Sequence, residues 1–165
     1  MYAKFPGKYP AGWLLGLIAL CGLLLVGSVA AAPAGTRVFD KTTWQKLKKE
    51  LPRPGVVVFT TTDCAYCPDV IEKLSSELKK SKSKATLAVV VMDGATQPES
   101  WLKDAHYRKA DSLYIFEGQA NALRFGIDPR WRGMTPYLAM FGRTGDPKFV
   151  VGTPSRAEIA ELLKP

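Results

Sequence analysis

Residues 56–78 read VVVFTTTDCAYCPDVIEKLSSEL, and this stretch decides the fold. It opens on a continuous apolar run, Val56-Val57-Val58-Phe59. A short β-branched run of this kind suits a strand buried on both faces of a parallel or mixed sheet. A polar loop, Thr60 to Asp63, follows, and then Cys64-Ala65-Tyr66-Cys67. Beyond it Val70, Ile71, Leu74 and Leu78 recur on one helical stripe. A C-x-x-C therefore sits where a buried strand hands over to an amphipathic helix. The first thiol is expected near the helix N-terminus, where unpaired N–H groups and the dipole stabilise a thiolate. The second is expected one turn on, within reach to form or resolve a disulfide.

Working outward, the 165 residues leave room for one domain with a good core. Hydrophobic residues make up 47% and charged residues 23%, ordinary for a globular chain that carries one extra apolar segment. The formal charge is +8, and the densest basic run is Lys79, Lys80, Lys82 and Lys84. No aromatic residue interleaves that run, so it reads as a solvated helix end and loop rather than a nucleic-acid surface. No nucleic-acid partner is expected.

The N-terminal segment reads WLLGLIALCGLLLVGSVAAA over residues 13–32, uncharged and preceded by Lys4 and Lys8. A positive start, an apolar centre and a small-residue end match a secretory signal, with a cleavage site at Ala30-Ala31-Ala32. The stretch is also long enough to span a bilayer as an uncleaved anchor. Both readings of residues 1–32 export everything after Ala32. Leu20-Cys21 is a poor lipoprotein site, because a small residue should precede the cysteine and the apolar run continues past it. Cys21 then serves as a small hydrophobe. Residues 33–35 are a linker and residues 36–165 one domain.

Along that domain, residues 36–39 suggest a short edge strand. Thr42 and Gln45 make a capping-box pattern before a stripe of Trp44, Leu47 and Leu51, ended by Pro52 and Pro54. ATLAVVVM, residues 85–92, predicts a second buried strand and completes a βαβ unit. Thr96 and Glu99 suggest a helix with Trp101, Leu102 and Ala105 inward. Residues 113–116 read as a strand, and residues 118–125 as a helix closed by Gly126 at the C′ position. Residues 137–141 and 148–151 read as a hairpin around Arg143-Thr144-Gly145-Asp146. A last helix opens on Ser155 and Glu158 as a capping box and buries Ile159, Leu162 and Leu163.

This order, with C-x-x-C after the central strand and an x-Pro before a hairpin and a final helix, resembles the thioredoxin fold. The resemblance is carried by residues 59–67, by Phe125-Gly126-Ile127 with Arg132-Gly133-Met134-Thr135-Pro136, and by residues 152–163. With the export segment and the extra material between Met92 and Trp131, the chain looks like the TlpA/ResA-type thiol–disulfide oxidoreductases of the bacterial envelope. The fold class expected is α/β: a mixed central sheet with flanking helices, preceded by one N-terminal transmembrane or signal helix. Departures are plain. Asp63 stands where thioredoxins carry tryptophan before the first cysteine. Val58 stands where they carry a buried aspartate. Ala65-Tyr66 replaces Gly-Pro. A C-x-Y-C with Thr135-Pro136 is similar to the DsbC/DsbG-type isomerases, so the direction of electron flow stays open.

The resemblance implies Cys64 as nucleophile and Cys67 as resolving thiol of a redox-active disulfide. It implies a cis Pro136 facing the sulfurs, and substrate contacts from Thr135, Ala65 and Tyr66. It also implies the bacterial periplasm, disulfide-containing exported proteins as substrates, a membrane electron donor or acceptor, and contact with the membrane through residues 13–32 if uncleaved. No cofactor and no metal are expected. A competing reading from another class is a copper-assembly factor holding Cu(I) through Cys64, Cys67 and His106, since soft thiolates suit that ion. A structural zinc half-site lacks four ligands, and an inert disulfide over so short a loop stabilises little. Thr61 and Cys64 form a T-x-x-C as in peroxiredoxins, but Val57 replaces the proline four residues before the threonine.

Overall fold

The apolar runs form the centre of one sheet. In the computed structural model, which describes residues 35–164 apart from Lys82, Gln97 and the side chain of Glu99, six strands are present. They are β1 (Arg37–Phe39), β2 (Gly55–Thr60), β3 (Thr86–Val91), β4 (Ser112–Phe116), β5 (Tyr137–Phe141) and β6 (Lys148–Val151). Their spatial order is β1-β4-β3-β2-β5-β6. The first four are parallel to one another, while β5 runs antiparallel to both its neighbours, β2 and β6. The expected signal or anchor, residues 1–32, lies outside the described residues. Among the described residues no helix is long and apolar enough to cross a membrane.

Every residue of β2 and β5 is buried, as central strands covered on both faces must be. The period of two divides β2 between two cores. Val57 and Phe59 face a layer with Trp44, Leu123 and Ile127, on helices α1 (Lys41–Glu50) and α4 (Ala120–Ile127). Val56 and Val58 face the other, with Ile71, Leu74 and Ile159 on α2 (Cys67–Lys80) and α5 (Arg156–Leu162). The fold is thus a mixed α/β sheet with helices on both sides. The stripe of Val70, Ile71, Leu74 and Leu78 is buried along α2 as its spacing requires.

Three local expectations are corrected. The cap of α1 is Asp40, not Thr42: its chain is extended and its carboxylate accepts from the Thr43 N–H at 2.7 Å. An N-cap needs that geometry, and Thr42 is already helical. The helix read from Thr96 shrinks to four residues, α3 (Pro98–Trp101). Trp101 is held back against the chain, its indole N–H donating to the Gly94 carbonyl at 2.9 Å. Leu102 is only half-buried and Ala105 is exposed, so the expected inward stripe does not form. Gly126 lies inside α4 rather than beyond it. The Asp128 N–H still reaches the Arg124 carbonyl at 2.9 Å, which carries the helix on to Ile127 and buries that side chain. The capping box of α5 is present as read, with Ile159 and Leu162 buried and Leu163 half-buried.

Candidate functional site

Cys64 and Cys67 are joined in a disulfide, their Cα atoms 5.4 Å apart. The two sulfurs are placed unequally by the chain. Cys67 is the first residue of α2 and is 1% exposed. Cys64 lies in the preceding loop and is half-buried. The sequence placed Cys64 at the helix start and Cys67 one turn further; in the structure the helix begins at Cys67. Pro68 favours that start, since a proline in the first turn gives up an N–H that has no helical partner. Tyr66 precedes the helix without a side-chain cap, so the positive end of α2 lies next to the disulfide loop. The loop is closed by the Cys64 N–H on the Thr61 carbonyl (3.3 Å) and the Cys67 N–H on the Cys64 carbonyl (3.2 Å). Ala65 and Tyr66 form its exposed tip, Tyr66 being 74% exposed.

A second loop borders the first. The Thr135–Pro136 peptide bond is cis. The register of β2 on β5 pairs Phe59 with Tyr137, which brings Pro136 beside the point where β2 gives way to the disulfide loop. The hydroxyls of Thr61 and Thr135 share a hydrogen bond of 3.2 Å, a direct tie between the two loops. Pro136 is buried and its carbonyl accepts from the Gly152 N–H at 2.8 Å, while Thr135 is half-buried. Gly133 turns the approach to this loop in the left-handed region, at φ +92°, where a side chain would be strained.

Two carboxylates hold these loops. Asp93, just past β3, accepts from the Thr62 N–H at 2.9 and 3.1 Å and from the Thr62 hydroxyl at 2.7 Å. Asp128, just past α4, is 3% exposed. It accepts from the Arg130 N–H (2.9 Å), Nε (3.1 Å) and Nη2 (3.0 Å), and from the Tyr137 hydroxyl (2.7 Å). The Arg130 guanidinium, ahead of the Tyr137 and backbone hydrogen bonds, holds the Asp128 carboxyl down to about 2 against the opposing effect of burial. Trp131 stacks on Tyr137 with centroids 4.5 Å apart, and its indole N–H donates to the Met134 carbonyl at 2.9 Å. The segment leading into Thr135-Pro136 is thereby fixed from beneath. At the end of β2, Thr60 is fully buried. Nearby, burial pushes the Tyr107 hydroxyl up to about 12, against a Thr60 hydrogen bond that lowers it.

The structure sets the Cys64–Cys67 loop beside the loop of Thr135 and Pro136, the two tied through Thr61 and Thr135, with Ala65 and Tyr66 at the exposed tip of the first. It does not assemble the copper set. Among the described residues no group of three or more His, Cys, Asp or Glu side chains is gathered to hold a metal ion. His106 instead packs on Tyr107, ring centroids 4.0 Å apart, and burial lowers its pKa against the raising effect of Asp104 and Glu72. Sequence reading missed Asp93, Asp128 and Tyr137, and took Thr61 only as part of a T-x-x-C, not as a tie to Thr135. Only Asp128 left a signal: Asp-Pro-Arg is a turn sequence, and the aspartate does accept from the N–H two residues on.

Fold and site together define a class: an α/β domain that presents a C-x-x-C disulfide at a strand-to-helix turn, beside a cis-proline loop. No protein-family model matches the chain, and no curated protein matches it.

Proposed function

We propose that this protein is a thiol–disulfide oxidoreductase of the bacterial cell envelope, with a thioredoxin-like domain of TlpA/ResA type, that reduces disulfides in exported proteins. The observation that carries this reading is the inequality of the two sulfurs: an accessible Cys64 joined to a buried Cys67 at a helix start. In the reduced protein the Cys64 thiolate attacks a sulfur of the substrate disulfide. One substrate thiolate leaves and a mixed disulfide forms. The Cys67 thiolate then attacks the Cys64 sulfur, the second substrate thiolate leaves and takes a proton, and Cys64–Cys67 closes. Two electrons pass from the dithiol to the substrate, and a membrane electron donor restores the dithiol.

A protein client is supported by the rim. Tyr66 at the tip of the disulfide loop, Met134 (59% exposed) before the cis proline and Val151 (51% exposed), paired with Tyr137 just after it, are large apolar side chains open to solvent. Apolar groups so placed favour an unfolded or extended polypeptide over a small polar substrate. Isomerase activity of the DsbC/DsbG type is the second reading, favoured by Ala65-Tyr66 between the cysteines and by Thr135 before the cis proline.

The test is the Cys64–Cys67 reduction potential of the full-length protein, equilibrated with glutathione and dithiothreitol buffers. A value near about −270 mV or lower supports the reductase. One near about −120 mV reassigns the protein to disulfide donation. Absence of any reversible equilibrium sinks the oxidoreductase reading. Cys67→Ser is expected to accumulate a mixed disulfide through Cys64, and Cys64→Ser to form none.

A further inference from the structure

The two ends of the sheet differ in charge. Strands β1 to β4 all begin at the end remote from Cys64–Cys67, and α1 and α2 both finish there. The β5–β6 turn and the C-terminal residues are tied to the same end. The Arg53 guanidinium donates to the Gly145 carbonyl (2.6 Å) and the Lys48 carbonyl (3.1 Å), and Arg143 Nε donates to the Lys164 carbonyl (3.0 Å). This topology gathers the exposed Arg37, Lys49, Lys79, Lys80, Lys84, Arg143 and Lys164 at one pole, against Glu50, Asp111 and Asp146 and against Glu77 and Glu161, which pair with Lys80 and Lys164. The disulfide pole is mixed: Asp63, Asp69, Asp93 and Glu117 stand there with Lys41, Arg132 and Arg156, while Arg130 is paired with Asp128.

We propose that the basic pole is a docking surface for anionic lipid headgroups, which holds the domain on the bilayer with its disulfide pole turned outward. The occupant is argued from where the chain enters. The described residues begin at Gly35, two residues before Arg37, and residues 33–36 alone separate the apolar run of residues 13–32 from this pole. The five steps from residue 32 to residue 37 reach at most roughly 17 Å. That tether holds the pole within about two Debye lengths of lipid phosphates beside an embedded segment, so their attraction is partly screened at physiological ionic strength and strengthens as salt falls. A basic face without interleaved aromatics suits a phosphate surface read by charge alone. The proposal rests on the anchor reading of residues 13–32 and not on the redox chemistry, so a failed potential measurement leaves it standing.

The test uses the full-length protein reconstituted in vesicles of phosphatidylcholine alone and of phosphatidylcholine mixed with phosphatidylglycerol. Lysine acylation by a water-soluble reagent is followed by mass spectrometry. Lys49, Lys79, Lys84 and Lys164 are expected to react several-fold more slowly on the anionic vesicles, with the rates restored by high salt. Lys41, at the opposite end of α1, is expected to react equally on both. The exposed pair Lys79→Glu and Lys84→Glu is expected to release Lys49 and Lys164 from protection. Equal rates on the two vesicle types, protection that salt does not reverse, or protection of Lys41 as strong as that of Lys84 would each overturn the proposal.

Discussion

Asp128→Ala removes a carboxylate that accepts four hydrogen bonds, and the cost can be worked from its partners. The Arg130 side chain is 81% exposed, so solvent screens its ion pair and the pair contributes little. Tyr137 is 3% exposed, and its hydroxyl is left without the acceptor it holds at 2.7 Å. A buried donor so orphaned costs about 1–3 kcal/mol. The orphaned Tyr137 therefore sets the loss, about 1–3 kcal/mol. The pH dependence follows from the depressed carboxyl. Its folded value of about 2 lies below the 3.8 of an unperturbed aspartate, so its stabilisation is present above the unfolded value and is lost as pH falls towards about 2. With solvent screening at Arg130 this acid-sensitive part is about 1–2 kcal/mol. Urea unfolding of the chain lacking residues 1–32, followed by tryptophan fluorescence at neutral pH and in steps down to about pH 3, measures both quantities. Trp131, stacked on Tyr137, reports on the site itself. Asp128→Asn retains an acceptor for Tyr137 and is expected to fall between wild type and Asp128→Ala. A cost below about 0.5 kcal/mol for Asp128→Ala, within the range of ordinary surface substitutions, would refute the argument. So would parallel loss of stability in wild type and variant below about pH 4.

Asp93→Ala frees the Thr62 amide, whose hydrogen exchange is expected to accelerate about tenfold while global stability changes little; unchanged exchange would show the loop is held by other contacts. Leu74→Ala, at a site with 0% exposure, is expected to cost about 2–5 kcal/mol in urea unfolding. Gly94→Ala would set a Cβ 2.6 Å from the Trp101 ring, so Trp101 must shift and its hydrogen bond to the Gly94 carbonyl weakens. The expected cost is about 1–3 kcal/mol, read as a lowered melting temperature, and a silent substitution would show that Trp101 is free to move.

The sequence by itself determined the centre of the sheet and that the thiols follow its central strand, though not that the helix starts at Cys67. Residues 56–59 and 85–92 are too short for buried helices and too apolar for any edge, so they had to be central strands. The stripe after Cys67 had to be a helix packed on them. The hairpin around residues 143–146 and the capping box at Ser155 were legible because turn and cap chemistry is local. The limits of α3 and α4 were not, because burial of Trp101 on Gly94 and of Ile127 in the core overrode the local signals. Only the tertiary structure decided how the site is held. Thr61 meets Thr135 across 74 positions, and Thr62 meets Asp93 across 31. Such contacts have no period, since they join loops whose spacing is set by strand register rather than by their own residues. The charge pattern divides the same way. A run of lysines was visible in the chain, but its union with Arg37, Arg143 and Lys164 at one pole follows from parallel strands that all start at the same end of the sheet.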